Sequence, residues 1–452
     1  VNGVAVRPYK LIVGLGATGL SCARHLAHQG QSFRVTDSRS EPPGLAALRQ
    51  EFPAAAVELG GYVEASFLAA EELVVSPGVS LKTPEIQAAV AAGVPVTGDV
   101  DMFSRLVTGP VVAVTGSNGK STVVSLVAEI LQQAGKHVGL GGNLDGQFAR
   151  PALDLLQESQ DVYVLELSSF QLETTAHLGA EVAAILNLSE DHMDRYDGLA
   201  DYLAAKQRIF NGARHIVFNR DDPNTRPPHT PSGTALSFGL SEPAEGEFGL
   251  RNQNGRSMLA CGEQSFTAVD ELKIPGLHNT ANALAAAAIA HALGVPLPVI
   301  GKAVREFAGL PNRCQWIARI SGVDYYNDSK GTNVGAAVAA ITGLGERIAG
   351  RVILIAGGIG KGADFTPLAP ALARQARAAI LIGRDAGIIA DAIGDSTPVE
   401  NAVDMEDAVV RARALARPGD AVLLSPACAS FDMFRDFQHR GQVFADIVRG
   451  LQ

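Results

Sequence analysis

The sequence predicts an α/β protein of three domains: a Rossmann-like N-terminal unit, a central P-loop-type unit with a small antiparallel patch, and a Rossmann-like C-terminal unit. Three observations carry this. Nine short apolar runs alternate with helical patterns: KLIVGLG (10–16), ELVVSPG (72–78), VVAVTG (111–116), DVYVLELSS (161–169), AAILNLS (183–189), HIVFN (215–219), RVILIAGG (351–358), AAILIG (378–383) and AVLLSPA (421–427). Their hydrophobicity is continuous, as in parallel strands covered on both faces. Many end in Gly, Ser or Asn, where open α/β sheets hold ligands. The 452 residues, 47% apolar, suffice for about three domains and exclude a mostly disordered chain.

The first domain is expected over 1–98. Its loop GLGATG (14–19) follows a strand and opens a helix, and Asp37 stands eighteen residues after Gly19. That spacing fits a nicotinamide dinucleotide, so a dehydrogenase is a competing reading. The block is short for a full dinucleotide fold, and a glycine loop with an acid after the second strand equally suits a uridine diphosphate.

The second domain is expected over 99–309 and opens on VVAVTGSNGKST (111–122). A β-branched run breaks into Gly116-Ser117-Asn118-Gly119, and an amphipathic stretch from Val123 to Ala134 follows Lys120-Ser121-Thr122. Such a loop aims successive N–H groups at one spot on the positive end of a helix. Lys120 adds a mobile cation, and Ser121 or Thr122 a hydroxyl for Mg²⁺, so the site suits a nucleotide di- or triphosphate. The full phosphate-loop pattern needs glycine at position 114, which is Val, so the loop is a shortened variant.

Further along, Glu166 ends a β run where a Mg²⁺-binding carboxylate would sit, with Ser168 and Ser169 after it; a helix cap is the plainer reading of the serines. In ILNLSEDHMDRYDG (185–198) four acids flank His192, a second metal position or a substrate contact; Asp194 and Asp197 read as solvated acids. Lys206 lies on a helix among apolar residues, and a buried stem would place it near a functional site or mark it for modification. Asn279 and Asn282, three apart at the start of an Ala-rich helix, share a face able to hydrogen-bond an adenine edge. The stretch 221–233 reads as irregular loop, and 235–275 as the antiparallel patch with turns at Asn254-Gly255 and Cys261-Gly262.

The third domain is expected over 310–452. It brings polar loops at LPNR (310–313), YYNDSKGTN (325–333), GGIGKGADF (357–365) and LLSPACASFDMF (423–434), with Arg313, Lys330 and Lys361 as anion-holding cations.

Composition narrows the partners. Net charge is −10 with no basic tract, which argues against sequence-independent nucleic-acid binding. Four dispersed cysteines without CxxC spacing argue against a zinc site or a disulfide framework. No run is long enough for a membrane span, and the start lacks a signal-peptide layout; a cytoplasmic chain is expected.

GLGATGLS, SPGV (76–79), TGSNGKST, LELSSFQLETT (165–175), EDHMDRY (190–196), NDSKGTN (327–333), GKGADF and LLSPACASFD, taken in order, resemble the Mur ligase family of peptidoglycan synthesis, and within it the D-glutamate-adding branch. The resemblance implies a uridine-diphosphate domain, an ATP domain and an amino-acid domain. It also implies an ATP- and Mg²⁺-dependent ligase that joins D-glutamate to UDP-N-acetylmuramoyl-L-alanine through an acyl phosphate, with small-molecule partners only, as a monomer. Lys120, Glu166, His192 and Lys206 would be catalytic. Gly116, Ser117, Asn118, Gly119, Lys120, Ser121, Thr122, Asn279, Asn282, Arg313, Asp328 and Lys330 would bind ATP. Ala17, Thr18, Asp37, Ser38, Arg39, Gly78, Asn143, Ser168 and His192 would hold the uridine substrate. Thr332, Lys361, Ser430, Phe431 and Phe437 would frame D-glutamate. Ser121, Glu166, His192 and a carbamylated Lys206 would serve the metal. Ala17, Ser38 and Phe431 stand where the family pattern has Leu, Thr and Leu, and Asn312 where it has His. Hinges are expected near residues 98 and 309. A nucleotide-sensing protein without catalysis is a third reading, opposed by the presence of all four catalytic residues.

Overall fold

The computed structural model describes residues 8–144, 150–191, 195–274 and 276–451. Each of three sheets gathers its ligand-bearing loops at the carboxyl ends of its parallel strands. The first comprises β1 (Lys10–Val13), β2 (Phe33–Asp37), β3 (Ala56–Leu59), β4 (Glu72–Val75) and β5 (Val96–Thr97), all parallel, in the order β3-β2-β1-β4-β5. The order reverses between β1 and β4, so the loops after them flank a crevice. Five strands are one short of the doubled dinucleotide fold, which removes the main structural support for the dehydrogenase reading.

The second sheet contains β6 (Val111–Thr115), β7 (Val138–Gly142), β8 (Val162–Glu166), β9 (Val182–Ile185), β10 (His215–Asn219), β11 (Ala235–Phe238), β12 (Phe248–Gln253), β13 (Arg256–Cys261) and β14 (Gln264–Ala268). Their order is β14-β13-β12-β11-β10-β9-β6-β8-β7, with β6 at the switch between β8 and β9. The antiparallel patch is β12-β13-β14; β11, inside the region expected to be antiparallel, is parallel to both neighbours. The turn at Asn254-Gly255 is made by two residues with positive φ, 54° and 84°. The Ala-rich stretch is core: Ala283–Ala290 of helix Leu277–Ala292 is fully buried, and its small side chains let helix Lys120–Gln133 pack close against it. Among the described residues no helix is long and apolar enough to cross a membrane.

The third sheet holds β15 (Gln315–Ile320), β16 (Val323–Asn327), β17 (Val352–Gly357), β18 (Ala376–Ile382), β19 (Val399–Asn401) and β20 (Ala421–Leu424) in the order β15-β16-β20-β17-β18-β19. Only β15 runs antiparallel. The segment 325–333, expected to be loop, begins as strand: Tyr325, Tyr326 and Asn327 pair with Val422, Leu423 and Leu424, and the loop starts at Asp328.

All nine apolar runs contain strands, trimmed at the ends where Gly, Ser or Asn begins a loop. Helix Lys120–Gln133 starts three residues before the apolar pattern did, because the first turn carries the polar Lys-Ser-Thr. The loop 221–233 contains one ordered turn, Pro223–Thr225, capped by Asp222 Oδ1 accepting from Asn224 N at 3.1 Å.

Candidate active site

The loop after β6 depends on two left-handed glycines. Gly116 has φ +154° and Gly119 φ +84°, and a Cβ on Gly119 would lie 2.3 Å from Asn282 Oδ1. Asn187, just past β9, clamps the loop by accepting from Asn118 N (2.8 Å) and donating to Asn118 O (2.9 Å). Ser117 Oγ donates to Ser189 O at 2.9 Å. Lys120 folds back on its own loop, donating to Gly116 O at 3.0 Å and Ser117 O at 3.1 Å. Burial lowers its pKa, opposed by the field of Glu166.

Glu166, at the end of β8, is buried and faces this loop. It accepts from Ser121 Oγ at 2.5 Å and from Asn143 Nδ2 at 3.2 Å. Ser121 Oγ in turn accepts from Arg313 Nη2 at 2.7 Å, a bond from the third domain into the second. Lys206 is fully enclosed, so the buried alternative holds. Its Nζ donates to Gly116 O (3.0 Å) and Thr115 Oγ1 (3.2 Å), and burial, then the nearby Lys120 charge, push its pKa well down. His192 and Asp194 lie outside the described residues. Asp197 is exposed and pairs with Lys82 at 2.7 Å, as a solvated acid would.

A cavity opens beside the loop, between the central and third domains. Asn118, Gly119, Thr122, Asn279, Asn282, Arg313, Asp328 and Lys330 all line it. Asn282 Nδ2 donates to Asn279 Oδ1 at 3.2 Å, confirming their shared helix face. Asp328 is buried, which raises its carboxyl to about 6 against the hydrogen bonds from Ser425 Oγ and Cys314 N. Lys330 Nζ lies 4.0 Å above the Phe437 ring.

A second cleft lies at the first sheet's switch point and reaches the central domain. Ala17, Thr18, Asp37, Ser38, Arg39, Gly78 and Asn143 line it together. Asn143 also holds Glu166, so this cleft ends at the phosphate-loop carboxylate. Asp37 accepts from Leu15 N at 2.7 Å and from Arg39 Nη2 at 2.7 Å. Burial pushes this carboxyl up, but Arg39 and the loop amides outweigh it and bring it to about 2. Ser168 does not line the cleft; it caps helix Ser169–Glu173 in a capping box with Gln171, the plainer alternative.

The remaining set sits at the end of the third sheet. The isolated bridge Ile359–Ala429 ties the 357–361 loop to the 425–430 loop, bringing Lys361 (φ +53°) and buried Ser430 onto neighbouring segments. Thr332 N donates to Lys330 O at 2.8 Å. Phe431 is 71% exposed on the same loop as Ser430. Asn312 has φ +61° and accepts from Asn327 Nδ2 at 2.8 Å, a structural contact beside Arg313.

Three family models match the chain in turn: "Mur ligase MurD-like, N-terminal domain" over residues 9–98, "Mur ligase middle domain" over 114–290 and "Mur ligase, glutamate ligase domain" over 312–428. The chain is 53% identical over 449 residues to the UDP-N-acetylmuramoylalanine--D-glutamate ligase of Pseudomonas fluorescens Pf-5, covering 99% of both. The chain belongs to the Mur ligase family. The enzyme of the same name from Pseudomonas aeruginosa is 52% identical, again with 99% of each chain covered. Among solved structures, UDP-N-acetylmuramate-alanine ligase of Thermotoga maritima shares the fold at 19% identity and TM-score 0.62, covering 98% of this chain and 100% of that one. The pseudomurein peptide ligase type C of Methanothermus fervidus does so at 20% identity and TM-score 0.60, covering 99% and 100%.

Sequence reasoning missed several residues of this Mur ligase. Asn187, Asn219, Phe238 and His278 also line the cavity beside the phosphate loop. Burial holds the His278 imidazole down at about 4, so it stays neutral there. Asn187 and Asn219 each stand at or just past the carboxyl end of a strand, the signal that could have singled them out.

Proposed function

We propose that this chain joins D-glutamate to UDP-N-acetylmuramoyl-L-alanine with cleavage of ATP to ADP and phosphate, in building the peptidoglycan precursor. The observation that carries this reading is identity above one half, across 99% of the chain, with ligases of that name. In this reading residues 1–98 hold the uridine acceptor, 99–309 hold ATP and 310–452 hold the amino acid. A cytoplasmic monomer is part of the same proposal.

The acceptor lies in the cleft of Thr18, Asp37, Arg39 and Gly78, with its alanyl carboxylate at the Asn143–Glu166 end. ATP fills the cavity of Asn279, Asn282, Asp328 and Lys330. Lys120 leaves its loop carbonyls for the triphosphate, whose oxygens replace Gly116 O and Ser117 O as acceptors. The acceptor carboxylate attacks the terminal phosphorus, the bond to ADP breaks, and an acyl phosphate remains. A carboxylate alone is a poor electrophile; the mixed anhydride makes phosphate the leaving group. The neutral amine of D-glutamate, held by Thr332, Lys361 and Ser430 with Phe431 and Phe437 around it, then attacks the carbonyl carbon. A tetrahedral intermediate forms, the nitrogen gives up one proton to the solvent or the departing phosphate, and phosphate is expelled as the amide closes. Arg313, Lys120 and Lys330 offset the charge that the two anions bring together.

Among the described residues no three His, Cys, Asp or Glu side chains converge. Ser121 and Glu166 nonetheless suit Mg²⁺, which takes one or two protein oxygens beside phosphates and waters. Their oxygens stand side by side next to the phosphate loop. His192 belongs to the same proposed set. The metal would neutralise triphosphate charge. Lys206 fits carbamylation: burial favours its neutral amine, whose nitrogen can bond carbon dioxide, lose a proton and become a carboxylate.

The test is product mass after incubation with ATP, Mg²⁺, the UDP-muramoyl-alanine acceptor and either glutamate enantiomer. A product heavier by one glutamyl residue with the D form alone supports the reading. No glutamate-dependent product, or preference for another amino acid, overturns it.

A further inference from the structure

Arg195 lies outside every set of residues assigned above, yet it makes the densest polar contact between the first and central domains. Its side chain is only 12% exposed. Nη1 donates to Pro77 O at 2.7 Å and Nη2 to Val79 O at 3.2 Å, one bond on either side of Gly78. The same guanidinium pairs with Glu173 Oε2 at 2.7 Å and stacks 3.9 Å from the Phe170 ring centroid. Two carbonyls in one loop, a carboxylate on a helix of another domain and an aromatic face together use the fork and the plane of arginine at once.

The adjoining residue carries the contact inward. Tyr196 donates to the other oxygen of Glu173 at 2.5 Å, and its ring packs 5.2 Å from that of Tyr202. Tyr202 Oη lies 3.3 Å from Ser117 Oγ in the phosphate loop. Its ring centroid is 4.7 Å from Lys206 Nζ. A continuous packed path thus runs from the wall of the uridine cleft to the phosphate loop.

We infer that Arg195 is a positioning residue for the acceptor: it fixes the 76–79 wall of the cleft against the central domain, so that the acceptor is held in register with the phosphate loop. The inference rests on the reading of that cleft as the acceptor site. Glu173 sets the guanidinium, and the guanidinium sets the two carbonyls that flank Gly78. The role is not that of general cement: among the described residues, Arg195, Glu173, Pro77 and Val79 do not line the cavity beside the phosphate loop.

The experiment measures KM for the acceptor, ATP and D-glutamate in wild type, Arg195→Gln, Arg195→Lys and Glu173→Gln. Arg195→Gln is expected to raise acceptor KM about tenfold, as when one charge-assisted hydrogen bond is lost, with the other two KM values within about twofold. Arg195→Lys, which keeps the charge but not the fork, and Glu173→Gln, which keeps the shape, should give smaller rises in acceptor KM alone. Should Arg195→Gln fail to fold, the two conservative variants carry the test. Three KM values rising together, or an acceptor KM within twofold of wild type, overturns the inference. Wild-type turnover with this acceptor tests the underlying reading separately.

Discussion

Gly16 and Gly19 belong to one loop, yet alanine at each should do different damage. Gly19 sits in the first turns of helix Ala17–His28, directly over the end of β1. A Cβ there would lie 2.0 Å from Gly14 O and 3.1 Å from Gly14 C, backbone atoms that cannot rotate away. The helix must retreat by more than an ångström, and Gly14 is itself held at φ +95°. Overpacking of this kind costs about 1–3 kcal/mol, and the upper half applies because backbone meets backbone. For a unit the size of the first domain each kcal/mol lowers the melting temperature by roughly 4–8 °C. Gly16 is the opposite case, with φ −94° and nothing within 4 Å of an added Cβ. Its methyl would project into the cleft proposed for the acceptor, so Gly16→Ala should leave stability within about 0.5 kcal/mol of wild type and raise acceptor KM. Calorimetry and acceptor titration read the two effects apart. The reasoning fails if Gly19→Ala melts within a degree of wild type, or if Gly16→Ala melts as low as Gly19→Ala.

Lys120→Ala should abolish turnover while acceptor affinity, measured by calorimetric titration, stays close to wild type, since the two glycine loops serve different sheets; equal loss of both would contradict that separation. Lys206→Ala should lose activity and regain part of it with a short-chain carboxylic acid, because its proposed role is that of a carboxylate; activity that no acid restores, with no modified lysine visible by crystallography, would refute the role. Asp99, buried at the first turn of helix Asp99–Ser104, has an Oδ2 with no hydrogen-bond partner among the described residues, and burial raises its carboxyl from 3.8 to about 6. The folded state therefore retains a proton that the unfolded chain has released. Its favourable contribution is complete below pH 3.8 and is lost as pH rises through about 6. Asp99→Asn should accordingly gain stability over wild type between about pH 4 and 6 and hold the gain above; a pH-independent difference in melting temperature would count against this.

Strands and phosphate loop were legible in the sequence because both depend on neighbouring residues: an apolar run for a covered parallel strand, glycines and Lys-Ser-Thr for the turn into a helix. Less apolar strands were not. β7 is VGLGG, with three glycines, and β5 is two residues long, so neither shows a run. Of the site, residue types were visible but pairings were not. Ser121 meets Glu166 across 45 positions and Arg313 across 192, distances that no local pattern encodes. Ser168 shows the converse: the sequence allowed both a helix cap and a substrate contact, and the fold makes the cap, a local pairing with Gln171 three residues on. Arg195 stood in plain view inside EDHMDRY, but its partners are backbone carbonyls of another domain, which carry no sequence signature.

The central claim is that the terminal phosphoryl group of ATP passes to the acceptor's carboxylate before the amine arrives. Turnover with an acceptor whose alanyl carboxylate is labelled with heavy oxygen tests it most directly. The account predicts that each phosphate released carries one labelled oxygen, left behind when the acyl phosphate breaks. Unlabelled phosphate from a reaction that still forms the glutamyl product would contradict it.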